Sequence, residues 1–425
     1  MTIESLKARI IELEDRYYHN QLTGLPNRVK LLEDIKLDKP TGLLVIDIKG
    51  FSTINDFYGT AIGDKVLVAI TQFLETVIGE DENFYNIAAD QFIYLEKSLE
   101  VTKKQFNEEN IKSMMNTIEN TPIRVEVAKD NYIDINIYVT VIHIDDTNDI
   151  PNLLEVADMT LHYAKDMRLP FIKYSPSLKL TEKFEKDLAG VNMVKSALEE
   201  DRLVAYFQPI IKAYGNSYEC LVRIKDGDRV ISPFFFLDAV TKTKYYSQLT
   251  QRMIEKSFQY FEGKNVTFSV NLSFDDIEDA ELITFLKNKM HKYGVEKQLI
   301  LEILESENIV DFILIRNFIQ DMQKLGVQIA IDDFGSGYSN FTYLKELKPD
   351  YIKIDGSLIK DIATVEESYI LVRTITNLAH ELGIKVVAEY IENEAIYNKA
   401  KRLYIDGYQG YFLGAPNDSM EIKTA

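Results

Sequence analysis

A chain of 425 residues is too long for one hydrophobic core, so two domains and a short extra segment are expected. Its 48 lysines and arginines against 67 aspartates and glutamates give a formal charge of -19, which argues against general nucleic-acid or anionic-membrane affinity and leaves an anionic substrate in need of a metal. The single cysteine, Cys220, excludes a disulfide framework and a thiolate zinc site and fits a reducing cytoplasm, while no stretch is apolar enough to insert in a membrane or to act as a signal segment.

Residues 2 to 18 are expected to be helical, with Leu6, Ile10, Leu13 and Tyr17 recurring at helical spacing as one apolar stripe. Such a stripe seeks a partner, either its own domain or a second copy in a short coiled coil; a homodimer, through this helix or elsewhere, is expected. Asn20 to Asn27 is turn punctuation. Strands are then expected at Gly42–Ile48, Phe84–Asn86, Gln91–Leu95, Ile123–Val127 and Asp134–His143, alternating with helices as in a compact α/β domain over residues 19–174. The polar run Lys173–Asp187 places the boundary near 175 and opens a second domain at 188–425.

There the sequence repeats one device eight times, roughly thirty residues apart: a short apolar run that carries a carboxylate, amide or lysine near its end. The runs are Val204–Ile210 with Gln208, Tyr218–Ile224 with Glu219 and Arg223, Thr267–Ser273 with Asn271, and Leu299–Leu304 with Glu302. Gln328–Phe334 with Asp332 and Asp333, Tyr351–Gly356 with Lys353 and Asp355, Lys385–Ile391 with Glu389, and Gly407–Gly414 with Gln409 complete the set. Separated by amphipathic stretches, they predict βα units closing into a parallel (β/α)8 TIM-type barrel whose strand C-termini form the chemical face. Glu219, Asn271, Glu302, Asp332, Asp333 and Glu389 offer hard oxygen donors suited to Mg²⁺ or Mn²⁺. So many acids in one place imply bound cations or strongly raised pKa values.

The first domain resembles the GGDEF family of diguanylate cyclases over roughly residues 19 to 174. LTGLPNR at Leu22–Arg28, DIKGFSTINDFYGTAIGD at Asp47–Asp64, AADQF at Ala88–Phe92 and AD…YAK at Ala157–Lys165 carry that resemblance. It implies a hairpin with two glycines and two acids; here stand Ala88, Ala89, Asp90 and Gln91, and Lys49 replaces an acid two residues after the metal-binding Asp47. The product-inhibition motif expected at Gly79–Glu82 is missing, and no cyclase activity is expected. Asn55 and Asp64 match positions that contact guanine; they are either turn and cap residues of a scaffold or, with Asp47, the remnant of a GTP site that tunes the second domain.

The second domain resembles the EAL family of cyclic di-GMP phosphodiesterases from about residue 188 to 416. YFQPI (Tyr206–Ile210), ECLVR (Glu219–Arg223), VNLS (Val270–Ser273), LEILES (Leu301–Ser306), IDDFGSGYSN (Ile331–Asn340), YIKID (Tyr351–Asp355), AEYIE (Ala388–Glu392) and QGYFLGAP (Gln409–Pro416) fall in order. The resemblance implies that Glu219, Asn271, Glu302 and Asp332 hold one cation and that Asp332 bridges to a second, completed by Asp333 and Glu389. Lys353 matches the lysine that contacts the attacking water, the alternative being an interior lysine paired with Asp355. Gln208, Leu221, Arg223 and Gln409 match substrate contacts, Glu305 matches the anchor of the loop Gly335–Asn340, and Tyr411 and Phe412 either stack on guanine or pack the barrel mouth.

Five residues depart from the pattern: Cys220 for alanine, Leu304 for threonine, Tyr390 for the glycine after Glu389, Ile391 for valine, and Val240, which breaks the usual Ala-Glu pair after the second strand. A bulky residue where glycine provides positive φ would tilt Glu389 and loosen the second cation. The expected function is hydrolysis of cyclic di-GMP to linear pGpG at a two-cation site in a cytoplasmic protein, with the first domain regulatory. The rival is a silent cyclic di-GMP receptor acting through a partner.

Overall fold

The computed structural model describes residues 3–38, 40–78, 83–97, 108–129, 131–143, 153–213, 215–304, 312–335 and 341–420, and the chain divides into two units, Met1–Glu185 and Lys186–Ala425. Glu305, residues 336–340 and the segment Gly79–Glu82 lie outside the described residues. Among those described, no helix is long and apolar enough to cross a membrane.

The first unit runs α1 (Ile3–Tyr18), α2 (Arg28–Asp38), β1 (Pro40–Ile48), α3 (Phe51–Tyr58), α4 (Thr60–Ile78), β2 (Phe84–Asn86), β3 (Gln91–Lys97), α5 (Glu108–Asn120), β4 (Ile123–Ala128), β5 (Asn131–Ile135), β6 (Ile137–His143), α6 (Leu153–Asp166) and β7 (Phe171–Lys173). Its main sheet is ordered β2-β3-β1-β6-β7. Central β1 is apolar nearly throughout because both its faces are covered. Leu44, Ile46 and Ile48 pack with Val66, Ile70 and Leu74 of α4, whereas Leu43 and Val45 pack with Leu31 of α2 and with Leu153, Ala157 and Leu161 of α6. The period-2 alternation of a strand thus sorts one run into two cores. The strand expected at Asp134–His143 divides at Asn136: β5 pairs with β4 as a separate ribbon, and β6 joins β1. Asn136 lies at the change of partner, its carbonyl accepting from Lys49 N at 2.9 Å in register with the β1–β6 pairing. The α1 stripe of Leu6, Ile10, Leu13 and Tyr17 is exposed within its own unit.

The second unit begins within α7 (Leu180–Glu199) and runs β8 (Leu203–Lys212), β9 (Asn216–Asp226), β10 (Arg229–Ile231), α8 (Leu237–Val240), α9 (Tyr245–Phe261), β11 (Thr267–Leu272), α10 (Phe274–Glu278), α11 (Ala280–Tyr293), β12 (Leu299–Leu304) and α12 (Phe312–Lys324). It continues with β13 (Gln328–Phe334), α13 (Phe341–Leu347), β14 (Tyr351–Ile354), α14 (Gly356–Ile359), α15 (Glu366–Glu381), β15 (Lys385–Ala388), α16 (Glu394–Lys401) and β16 (Gly407–Gln409). The sheet order β9-β11-β12-β13-β14-β15-β16-β8 closes on itself through β8 and β9, and β10 folds back on β9 as an outer ribbon.

One strand departs from the expected parallel barrel. β8 is antiparallel to both neighbours, β9 and β16, whereas β9 and β11 to β16 are parallel. The cause is local: only a few residues around Gly215, at φ 75, join β8 to β9, far short of the crossover of about a dozen residues that a parallel pair requires.

Inside the barrel Ile210, Ile300, Ala330, Tyr351 and Val387 form an apolar floor. Two residues along each strand, on the same face, come Gln208, Glu302, Asp332, Lys353 and Glu389. For β12 to β15 the step runs forward; for the reversed β8 it runs backward, from Ile210 to Gln208. Gly407 fits the same layer, since a Cβ there would meet Val387 Cγ2 at 3.1 Å and Ile210 Cγ2 at 3.3 Å, and Gln409 follows two residues later.

Candidate active site

The layer above the floor is polar, buried and nearly all acid. Lys353, 1% exposed, stands at its centre, with Nζ 2.8 Å from Glu389, 2.9 Å from Glu302, 3.0 Å from Asp332 and 3.4 Å from Glu219. Asp355 is elsewhere: it caps α14, accepting from Ser357 N at 2.9 Å, so the alternative pairing of Lys353 with Asp355 does not occur. Glu219 also accepts from Asn271 Nδ2 at 2.9 Å and from Gln409 Nε2 at 2.5 Å, and Gln409 Nε2 reaches Gln208 Oε1 at 3.2 Å.

The carboxylates form two groups that meet at one residue. Glu219, Glu302 and Asp332 bring ligand atoms within 4.8 Å of one another, and so do Asp332, Asp333 and Glu389. Five carboxylates against one ammonium leave four formal negative charges in surplus, which two divalent cations would cancel. All the donors are hard oxygens, and with Asn271 Nδ2 donating to Glu219, Oδ1 is the amide atom left to offer a cation. The residues present therefore fit a pair of divalent cations.

Titration follows from burial. Burial, outweighing the pull of Lys353, pushes Glu389 up to about 8. Burial, with Asp332 beside it, lifts Asp333 to about 6. Glu302 and Asp332 rise for the same leading reason. Glu219 falls: burial would raise it, but Lys353, Gln409 and Asn271 outweigh burial. Burial would likewise lower Lys353, yet its carboxylates hold it well above the ordinary ammonium range.

A pH dependence follows for the metal-free protein. Raised acids keep protons in the folded state that the unfolded chain has already released, so stability should fall as pH climbs from about 5 through the Glu389 value of about 8. Glu219, lowered, completes its contribution below that window, and Lys353, raised, keeps its own beyond it. Melting in EDTA across the window checks this, and saturating Mg²⁺ or Mn²⁺ should flatten the slope. A metal-free melting point that holds level or rises would contradict the arrangement.

The wall above the cluster is β9. Glu219, Leu221 and Arg223 share one face at successive heights, opposite Gln208, Tyr206 and Val204 of β8. Arg223 lies over the Tyr206 ring, 5.8 Å from its centroid, and donates to Val222 O at 2.7 Å. Tyr411 is exposed on the rim, whereas Phe412 is partly buried against the barrel core. The departure at Tyr390 is absorbed in the backbone: the residue sits at φ 55, and Glu389 still reaches Lys353. Asp333 is also left-handed, at φ 53, turning consecutive aspartates to one site. Ser269 was not anticipated. It is fully buried two residues before Asn271 on the same face, its hydroxyl without a hydrogen-bond partner among the described residues; a small polar residue in register with Asn271 was the available signal.

In the first unit Asp47 is buried, is raised by that burial, and pairs with Lys165 Nζ at 2.7 Å. Gln91 also donates to it. Asn55 on α3 lies over Gly63, where a Cβ would meet its Oδ1 at 1.9 Å, and Asp64 follows, exposed on α4.

Comparison with known families decides the assignment, since the model for the EAL domain matches residues 191–416, more than half the chain. The chain belongs to the EAL family. The model for the diguanylate cyclase GGDEF domain precedes it over residues 17–168, so GGDEF and EAL domains stand in tandem. MucR of Pseudomonas aeruginosa, a bifunctional diguanylate cyclase/cyclic di-GMP phosphodiesterase, is 28% identical over 97% of this chain and 62% of its own length. The cyclic di-GMP phosphodiesterase PdeF of Escherichia coli is 34% identical over 56% of this chain and 33% of its own. The chain thus spans only part of these relatives. Among solved structures, the EAL domain is similar to the PaMucR phosphodiesterase in complex with c-di-GMP, with 30% identity over 54% of this chain and 97% of that one and a TM-score of 0.50. The Vibrio cholerae LapD S helix-GGDEF-EAL structure, at 17% identity and a TM-score of 0.54 over 97% of this chain and all of its own, shares the fold.

Proposed function

We propose that the EAL domain hydrolyses cyclic di-GMP to linear pGpG with two divalent cations, Mg²⁺ or Mn²⁺, and that the GGDEF domain makes no cyclic di-GMP and serves as a regulatory and dimerising module in the cytoplasm. The observation that carries the reading is the pair of carboxylate groups that share Asp332 around Lys353. The phosphodiesterase relatives support the substrate.

In this reading Glu219, Asn271, Glu302 and Asp332 hold one cation, and Asp332, Asp333 and Glu389 the other. Cations bound there supply Lewis acidity toward the phosphoryl oxygens and lower the pKa of water. The chain's own groups do the rest. Lys353 Nζ, fixed at the centre of the acids, donates to the attacking water and steadies the charge that develops as the water oxygen bonds to phosphorus and one bridging P–O bond breaks, the ribose oxygen leaving with the proton the water gives up. Gln208 and Gln409, hydrogen-bonded to each other, and Arg223 on the β9 wall orient the phosphates, and Leu221 and Tyr411 flank the base. Buried Glu219 and Glu302 exclude bulk water from the inner side. Glu305 is proposed as the anchor of the loop after β13.

In the first unit, Asp47 already engaged by Lys165, together with Ala88, Ala89 and Gln91 in the hairpin, supports catalytic silence. Asn55 and Asp64 are proposed to seat GTP, with Asp47 held back by Lys165, and the exposed stripe of α1 supports a homodimer. The test is direct: purified protein with cyclic di-GMP and Mg²⁺ or Mn²⁺ should yield pGpG, and with GTP should yield no cyclic di-GMP. Tight binding without turnover hands the case to the receptor reading.

A further inference from the structure

Tyr390 combines four properties that a merely tolerated substitution does not require. It follows Glu389 directly, so it stands on the barrel mouth. It adopts φ 55, a conformation that bulky residues occupy at an energetic cost and that marks candidate functional positions. Its side chain lies against bare backbone: a Cβ on Gly356 would fall 2.7 Å from Tyr390 Cβ and 2.9 Å from its Cγ. Glu392 beside it raises its phenol above the ordinary value. The base of the side chain is therefore seated against backbone, while the residue remains 51% exposed.

The surrounding segment is equally fixed. Ile391 is fully buried, its N–H donates to Gln409 O at 2.9 Å, and its carbonyl accepts from Phe412 N at 3.0 Å. Gly410 permits this approach, because a Cβ there would lie 2.2 Å from Ile391 N. Tyr390 and Tyr411 thus rise from two rim segments tied backbone to backbone. An exposed aromatic face whose base is seated on backbone beside a site for a dinucleotide gives up less conformational freedom than a free side chain when a base stacks on it.

We infer that Tyr390 is a stacking platform for one of the two purine bases, a binding residue set beside Tyr411 on the rim. The inference rests on the proposed cyclic di-GMP reading. The test uses the full chain and two readouts: the equilibrium Kd for cyclic di-GMP in Ca²⁺, which needs no turnover, and steady-state kinetics in Mg²⁺. Tyr390→Gly removes the ring and relieves the positive φ, so the variant should fold. It should weaken Kd and raise KM on the order of tenfold, with kcat and the half-saturating Mg²⁺ concentration unchanged. Tyr390→Phe, which keeps the ring, should bind as the parent does. The inference is overturned if Kd and KM are unmoved in Tyr390→Gly. It is also overturned if kcat and Mg²⁺ dependence shift in both variants, which would mean that Tyr390 acts only by placing Glu389. A parent that binds without turnover refutes the hydrolase reading while Kd still judges Tyr390, and a parent that binds no cyclic di-GMP refutes both.

Discussion

Asp332→Asn should lower the turnover of cyclic di-GMP on the order of a thousandfold or more, because this carboxylate belongs to both acid groups. The charge stabilisation that a cation gives a phosphoryl centre is worth several kcal/mol, and about 1.4 kcal/mol is a factor of ten. No neighbour can substitute for Asp332: Glu302 and Glu219 face the first group, Asp333 and Glu389 the second. The amide is nearly isosteric and relieves repulsion in the cluster, so the fold should survive and metal-free stability should not drop. Initial rates of pGpG formation, paired with melting curves, provide the check. Retained hydrolysis with intact folding would place the chemistry elsewhere.

Lys353→Met should have the largest effect on the metal-free fold. In the parent, one ammonium sits within 3.4 Å of four carboxylates, so removing it leaves those charges buried without a counter-ion. Loss of one partner from a buried ionic network costs about 3–5 kcal/mol, on the order of 10 °C in the melting point of a domain this size. Some of that loss will be absorbed by protonation, since Glu389 already titrates near 8. Mg²⁺ or Mn²⁺ supplies the missing positive charge, so the deficit should shrink when cations are present, while turnover stays depressed for want of the donor to water. Melting in EDTA and in Mn²⁺, side by side, tests both halves. An equal loss in the two buffers would mean that the lysine stabilises the barrel by packing alone.

Much of the barrel was legible because its strands carry two signals in one run. Ile300 with Glu302, Ala330 with Asp332, Tyr351 with Lys353 and Val387 with Glu389 are each an apolar floor residue and a polar residue two positions on, and side-chain alternation turns that spacing into two stacked layers. The direction of β8 was not legible from that spacing, because Gln208 and Ile210 give the same pattern in either sense; only the short link at Gly215 carries the orientation. Ser269 escaped notice because a small hydroxyl in an apolar strand is as often packing as chemistry. At Tyr390 the sequence exposed the conflict between a bulky side chain and a glycine-like position, but not its outcome. A left-handed backbone bound on one side to Gln409 and Phe412 accepts the residue without moving Glu389, a long-range arrangement that local spacing does not encode. In the first unit, one expected strand became two at Asn136 because its first half pairs with β4 and its second half with β1, a change of partner that local alternation does not encode.

The reversal of β8 also decides where the polypeptide gains entry to the cylinder. Were this strand aligned with the other seven, the helix Leu180–Glu199 would deliver the chain at the sealed apolar base; instead it delivers Leu203 beside Ile224, at the open end. The strand therefore begins at the lip and runs inward, with Tyr206 and Gln208 its next links toward the acids.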